Sequence, residues 1–134
     1  MLASGPSFFG QIVETGSHAA SVESVAAGDA DVAAIDAVTF ALLQRHRPAL
    51  MRRVRVLHWT VRSPGLPFVT SRRRSHETLI ALQQVMSEVV ADPGLSDLRR
   101  ELMLTEFSPL SQAHYRSVLR LAQIAADSGY PELC

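Results

Sequence analysis

Residues 11–36 alternate strand-like and helix-like apolar patterns, and this alternation limits the folds that the chain can adopt. Residues 11–15 (QIVET) have the length and composition of a short strand. After a glycine break, residues 18–27 carry small apolar side chains at helical spacing and end at Gly28. Residues 30–35 (ADVAAI) form a nearly continuous apolar run, which is typical of a strand covered on both faces. The pattern predicts a β-α-β unit in a mainly parallel sheet.

The rest of the chain extends this alternation and then becomes helical. A second helix is predicted from residue 37 to residue 45, before Pro48, and a third strand at residues 54–60 (VRVLHWT). Beyond residue 67 the sequence predicts a strand at 68–71 and helices at 75–91, 96 to about 104 and 111 to about 128. The predicted fold class is therefore α/β, with a βαβαβ segment followed by a strand and a helical C-terminal region.

The composition excludes several classes of function. Thirteen arginines balance thirteen acidic residues, and a neutral chain is not expected to bind nucleic acid or an acidic membrane surface. The charge run at residues 72–74 (RRR) is interpreted as a solvated loop. The single cysteine, Cys134, cannot form a disulfide framework or a cysteine metal site, and the five histidines are scattered without ligand spacing, so no metal is predicted. No cofactor is predicted either. Residues 1–10 lack the features of a signal peptide, which at face value predicts a cytoplasmic protein.

The turn between the first predicted strand and the first predicted helix carries the residues best suited to bind a ligand. A helix that begins at such a turn leaves its first backbone N–H groups unpaired, and these groups attract anions. Gly16 lets a ligand approach the backbone closely. The hydroxyls of Thr15, Ser17 and Ser21 can donate to anionic oxygens, and His18 adds a donor that is positively charged when protonated.

Asp36 ends the next predicted strand and is expected at the same edge of the sheet. Anion donors on one side and a carboxylate on the other suit a small zwitterion. The candidate ligand-binding residues are therefore Thr15, Gly16, Ser17, His18, Ser21 and Asp36. Each also has a structural interpretation: Ser17 and Asp36 as helix N-caps, and His18 as a solvated residue of a first helical turn. The sequence leaves both interpretations open.

Catalysis is not predicted from these residues. Ser17, His18 and Asp36 are the residue types of a nucleophilic triad. However, serine and histidine at adjacent positions of a helix start point in different directions, so direct proton transfer between them is poorly placed. The chain also lacks the G-x-S-x-G nucleophile elbow and a phosphate-binding P-loop. We therefore expect a non-catalytic protein.

The ungapped run from Gly16 to Asp36 resembles the phosphate/phosphonate substrate-binding proteins of ABC transporters, which belong to the type 2 periplasmic binding protein class. The shared pattern is G-S-H-x-x-S, an apolar helix that ends in glycine, and then A-D-V-A-x-x-D. Trp59, Pro64 and Pro67 also lie where that family crosses between its lobes, and the likeness extends over nearly the whole chain. The resemblance implies a periplasmic solute-binding protein whose ligand is a small phosphonate or phosphate and whose partner is an ABC transporter permease.

Site roles follow from the same resemblance. Ser17, His18 and Ser21 match positions that contact the anionic group, and Asp36 matches a carboxylate that meets the far end of the ligand. The resemblance implies that residues 1–61 are the later part of the ligand-binding second lobe. Residues 62–67 would form the hinge or crossing segment, and residues 68–134 the mainly helical return segment of the first lobe.

Proteins of this family are substantially longer than this chain, because a first lobe precedes the matching part and completes the anion site. We therefore expect apolar edges to be exposed, and the chain to cover them by forming a homo-oligomer. Two alternatives to uptake stay open: a self-associating fragment that binds no ligand, and a cytoplasmic domain that senses a ligand with the same fold.

Overall fold

A computed structural model describes residues 9–130, and within this range all regular secondary structure is helical. The α-helices are α1 (His18–Ala27), α2 (Ala37–His46), α3 (Pro48–Met51), α4 (His76–Ala91), α5 (Ser96–Glu101) and α6 (Arg116–Asp127). Two short 3₁₀ turns, Pro93–Leu95 and Gln112–Tyr115, precede α5 and α6. No helix in the described part of the chain is long and apolar enough to cross a membrane.

The predicted α/β fold class is wrong for the described residues, which contain helices and no strands. The four predicted strands, at 11–15, 30–35, 54–60 and 68–71, are irregular segments. A strand exists only through a ladder of hydrogen bonds to a neighbouring strand. No backbone hydrogen bond joins any two of these segments in the range 9–130. These segments have the apolar composition of buried strands, but composition alone does not provide a neighbouring strand with which to pair.

The helix predictions agree with the structure more closely than the strand predictions do, because the hydrogen bonds of a helix join residues close in sequence. The helix predicted at 18–27 is confirmed as α1, and the helix predicted at 75–91 is confirmed as α4, which begins one residue later. The helix predicted from 96 to about 104 ends earlier, at Glu101. The last predicted helix begins as a 3₁₀ turn and is α-helical only from Arg116.

The chain divides into two compact units. The first runs up to Val61 and resumes at Ile124, and the second is Arg62–Gln123. The assignment of 1–61, 62–67 and 68–134 to a second lobe, a hinge and a returning first lobe stays a prediction.

In the first unit, α1, α2 and α3 contact one another, and two of their side chains are buried. These are Val22 of α1, 3% exposed, and Leu43 of α2, 8% exposed. Arg47 forms an ion pair with Glu23 of α1, with 2.5 Å between guanidinium nitrogen and carboxylate oxygen. Arg53 donates to the backbone carbonyl of Ala26 at 2.6 Å. The guanidinium of Arg53 therefore pairs one of the carbonyls that the C-terminal turn of α1 leaves open.

In the second unit, the C-terminal end of α4 is closed in a similar way. Arg99 donates to the carbonyl of Val89 at 3.2 Å and to that of Asp92 at 2.5 Å. The rings of Phe68 and Phe107 pack edge to face with their centroids 5.3 Å apart. No large apolar side chain of this unit is fully buried.

Large apolar side chains are exposed in both units. In the predicted strand at 54–60, Leu57 is 65% exposed and Trp59 is 63% exposed, although the ring of Trp59 packs edge to face on Phe40. In the second unit Leu66, Phe68 and Val69 are exposed as well. The predicted strand segments contribute some of the exposed apolar side chains, and the helices contribute others, such as Leu79, Val85 and Leu119.

Candidate functional site

The N-terminal end of α1 is built by a turn at Gly16 and a cap at Ser17. Gly16 has a φ of +80°, in the left-handed region that L side chains rarely adopt. This turn leads the chain into Ser17, whose extended backbone (φ −159°, ψ 155°) is typical of an N-cap. The Ser17 hydroxyl oxygen accepts the N–H of Ala20 at 3.1 Å. Because that oxygen acts as the acceptor, its own proton stays available for donation to a ligand.

Two further hydroxyls meet beside this cap. The Oγ1 of Thr15 lies 2.6 Å from the Oγ of Ser21, and it donates to the backbone carbonyl of Ser17 at 3.2 Å. If Thr15 directs its single proton to that carbonyl, Ser21 must supply the proton of the hydroxyl pair. Thr15 and Ser21 therefore satisfy one another and stiffen the turn.

Two backbone donors lie unused at the same helix end. The N–H of Ser21 bonds the carbonyl of Ser17 at 2.9 Å, and that of Ala20 is taken by the Ser17 side chain. The N–H groups of His18 and Ala19 have no hydrogen-bond partner among residues 9–130. They are the orphan donors that every α-helix leaves at its start, and they are well suited to an anion.

Asp36 is the N-cap of α2. Its carboxylate accepts the N–H of Thr39 at 2.8 Å. This hydrogen bond is the main reason that the pKa of Asp36 lies below its ordinary value, with a smaller contribution from the charge of His18. Partial burial opposes the shift and raises the pKa. His18 and Asp36 are thus near enough to interact electrostatically.

The structure brings together Thr15, Ser17 and Ser21 by hydrogen bonds. It also shows that Ser17 and Asp36 are N-caps, so the structural interpretation of both residues is confirmed. Their role in ligand binding, like that of Gly16 and His18, stays a prediction.

Sequence reasoning missed the groups that hold the helices bearing these residues. Thr39 supplies the N–H that fixes the Asp36 carboxylate, and its position three residues after the cap was a usable signal. The pairing of Glu23 with Arg47 has no such signal, because the two residues are far apart in sequence. No group of three or more histidine, cysteine, aspartate or glutamate side chains in the described range could hold a metal ion. Cys134 lies outside that range.

Residues 4–115 match the model of the Phosphonate-bd family, described as "ABC transporter, phosphonate, periplasmic substrate-binding protein". The match spans most of the chain and includes all six candidate ligand-binding residues. No curated protein and no solved structure matched the chain.

Proposed function

Because the chain belongs to the phosphonate-binding family of ABC transporter periplasmic substrate-binding proteins, we propose that it binds a small phosphonate or phosphate-type anion for uptake. The family is non-catalytic, so the ligand is held and released unchanged. The family is also periplasmic, and the proposed partner is an ABC transporter permease. The observation that carries the proposal is the N-terminal end of α1, where two unused N–H groups adjoin the Ser17 hydroxyl.

The anionic group is held by donors of different kinds. The N–H groups of His18 and Ala19 point out of the helix start, where the helix dipole also favours negative charge. The Ser17 hydroxyl adds a third donor, since its oxygen already accepts from Ala20. Gly16 presents no Cβ to a ligand that approaches the turn. A protonated His18 side chain adds a positive charge.

Asp36 is proposed to bind the end of the ligand opposite its anionic group. Its carboxylate, whose pKa lies below the ordinary value of 3.8, is ionised at neutral pH. An ionised oxygen accepts several hydrogen bonds, so the bond from Thr39 leaves room for a ligand ammonium group. An aminoalkylphosphonate would therefore bind more tightly than an alkylphosphonate of the same length.

Isothermal titration calorimetry with methylphosphonate and 2-aminoethylphosphonate tests the proposal. The wild-type protein is expected to bind both, and the double variant Ser17→Ala/His18→Ala to bind neither. Ser111→Ala/His114→Ala is the matched control, because it removes the same two residue types from the start of another helical turn, where Ser111 Oγ lies 3.0 Å from His114 Nδ1. An unchanged affinity in the double variant would overturn the site assignment.

A second candidate function, self-association, is favoured by the distribution of apolar side chains. Only Val22 and Leu43 are buried in the described residues, whereas Leu57 and Trp59 are exposed. Exposed apolar surface of this kind is usually covered by another chain. We therefore propose that two copies of the chain associate through the exposed apolar segments. Native mass spectrometry at micromolar concentration should show an oligomer, and a monomer alone would refute this candidate.

A further inference from the structure

An open cavity of about 400 Å³ lies at the surface of the second unit, around the turn that precedes α4, and every residue that lines it is exposed. It is lined by Thr70, Ser71, Arg72, Arg74, Ser75, His76 and Leu79. It therefore contains part of the arginine run that the sequence analysis interprets as a solvated loop.

The turn before α4 places Arg72 and Arg74, but not Arg73, beside the cavity. The N–H of Arg74 bonds the carbonyl of Ser71 at 3.0 Å, and the N–H of Arg73 bonds the Ser71 hydroxyl at 3.3 Å. With the backbone folded in this way, Arg72 and Arg74 line the cavity and Arg73 does not. Two cationic residues thus line one space, as expected of positions i and i+2 on the same side of a non-helical backbone.

The cavity wall has positive charge and no carboxylate. Arg72 and Arg74 form no ion pair among residues 9–130, in contrast to Arg47 and Arg100, which pair with Glu23 and Asp97. The hydroxyls of Thr70, Ser71 and Ser75 add donors to the same wall. The helix start itself adds little, because the Ser75 oxygen already accepts the N–H of Thr78.

From this cavity we propose a second anion site, which takes a small molecule with at least two phosphate-type groups. A guanidinium presents paired N–H donors that match two oxygens of one phosphate group. Two guanidiniums on one wall therefore suit two adjacent phosphate groups, as in a diphosphate, better than a single one. Both arginines are exposed, so the affinity falls steeply as ionic strength rises. This site is separate from the helix end proposed to bind phosphonate, and neither depends on the other.

Calorimetric titration with inorganic pyrophosphate at low ionic strength tests the second site. The variant Arg72→Gln/Arg74→Gln should weaken binding about tenfold or more, since two charged hydrogen-bonding groups are lost. The matched control is Arg116→Gln/Arg120→Gln, which removes the same charge from exposed positions on α6 and should leave binding unchanged.

The outcomes separate this proposal from the first. Retained pyrophosphate binding in Ser17→Ala/His18→Ala supports an independent site, and its loss there would refute the second site. Equal losses in the two arginine variants would show that net charge alone attracts the anion and would also refute it. Unchanged binding in Arg72→Gln/Arg74→Gln would refute it as well.

Discussion

Replacing Ser17 by aspartate or by asparagine separates the capping role of this residue from its role in ligand binding. Aspartate and asparagine are both good N-caps, so either should accept the N–H of Ala20 as the serine oxygen does at 3.1 Å. The two side chains have nearly the same shape and differ in one negative charge. Ser17→Asn should therefore keep α1 and most of the phosphonate affinity, and Ser17→Asp should keep α1 but repel the anion.

The expected penalty follows from the geometry of the helix start. A phosphonate bound to the N–H groups of His18 and Ala19 lies roughly 4 Å from the cap carboxylate. Two unit charges at that distance repel by about 1 kcal/mol in water and about 4 kcal/mol at an effective dielectric constant near 20. Ser17 is exposed, so the lower part of this range applies. We expect Ser17→Asp to bind methylphosphonate about tenfold more weakly than Ser17→Asn.

Calorimetry of the two variants at low and at physiological ionic strength provides the measurement. The difference should shrink in salt, because the repulsion acts between exposed charges. Circular dichroism with urea checks that both variants keep the helix and unfold at similar midpoints. Equal affinities for methylphosphonate in the two folded variants would refute the assignment of the helix start as the anion site.

Three stability predictions follow from individual contacts. Because the folded-state pKa of Asp36 is lowered, its ionised carboxylate stabilises the fold above its ordinary pKa of 3.8, and this stabilisation is lost as pH falls through the folded-state pKa. The urea midpoint of Asp36→Asn should therefore depend less on pH in this acid range than that of the wild type. Gly28→Ala should lower the free energy of unfolding by about 1–2 kcal/mol, because the backbone φ of +89° at this position is unfavourable for alanine even though an added Cβ would meet no other atom. Gly65→Ala, where an added Cβ is equally free of contacts, should lower it far less. Val22→Ala should lower the free energy of unfolding by about 2 kcal/mol, because two methyl groups are lost in a buried position, whereas Val61→Ala at an exposed position should change it little. Urea unfolding measures the two glycine variants and the two valine variants against the wild type.

The helix ends were predictable because their determinants lie within a few residues of sequence. Ser17, Gly28 and Asp36 each act on a backbone group no more than four residues away, so their residue type indicates their role. The strands were not predictable in the same way. The apolar run at 30–35 indicates a segment able to join a sheet, but joining requires a neighbour that the run itself does not specify.

The candidate site likewise has features that the sequence indicates and features that only the structure shows. The donors at the start of α1 follow from a glycine and a capping serine in succession, which the sequence displays directly. The 2.6 Å contact between Thr15 and Ser21 needed the structure, because it depends on the turn that Gly16 makes. The cavity at Arg72 and Arg74 also needed it, since an arginine run does not indicate that a turn forms a cavity beside it.

The two arginine contacts that fasten α1 also indicate the order in which the first unit assembles. The bond from Arg53 to Ala26 closes a loop of 27 residues. Closing a flexible loop of that length costs about 3 kcal/mol in chain entropy, no less than the roughly 1.5–3 kcal/mol that a hydrogen bond from a charged donor contributes. The ion pair of Arg47 with Glu23 is exposed and contributes only about 0–1 kcal/mol. We therefore expect both contacts to form after the apolar side chains of α1 and α2 have packed, and to break early when the unit opens.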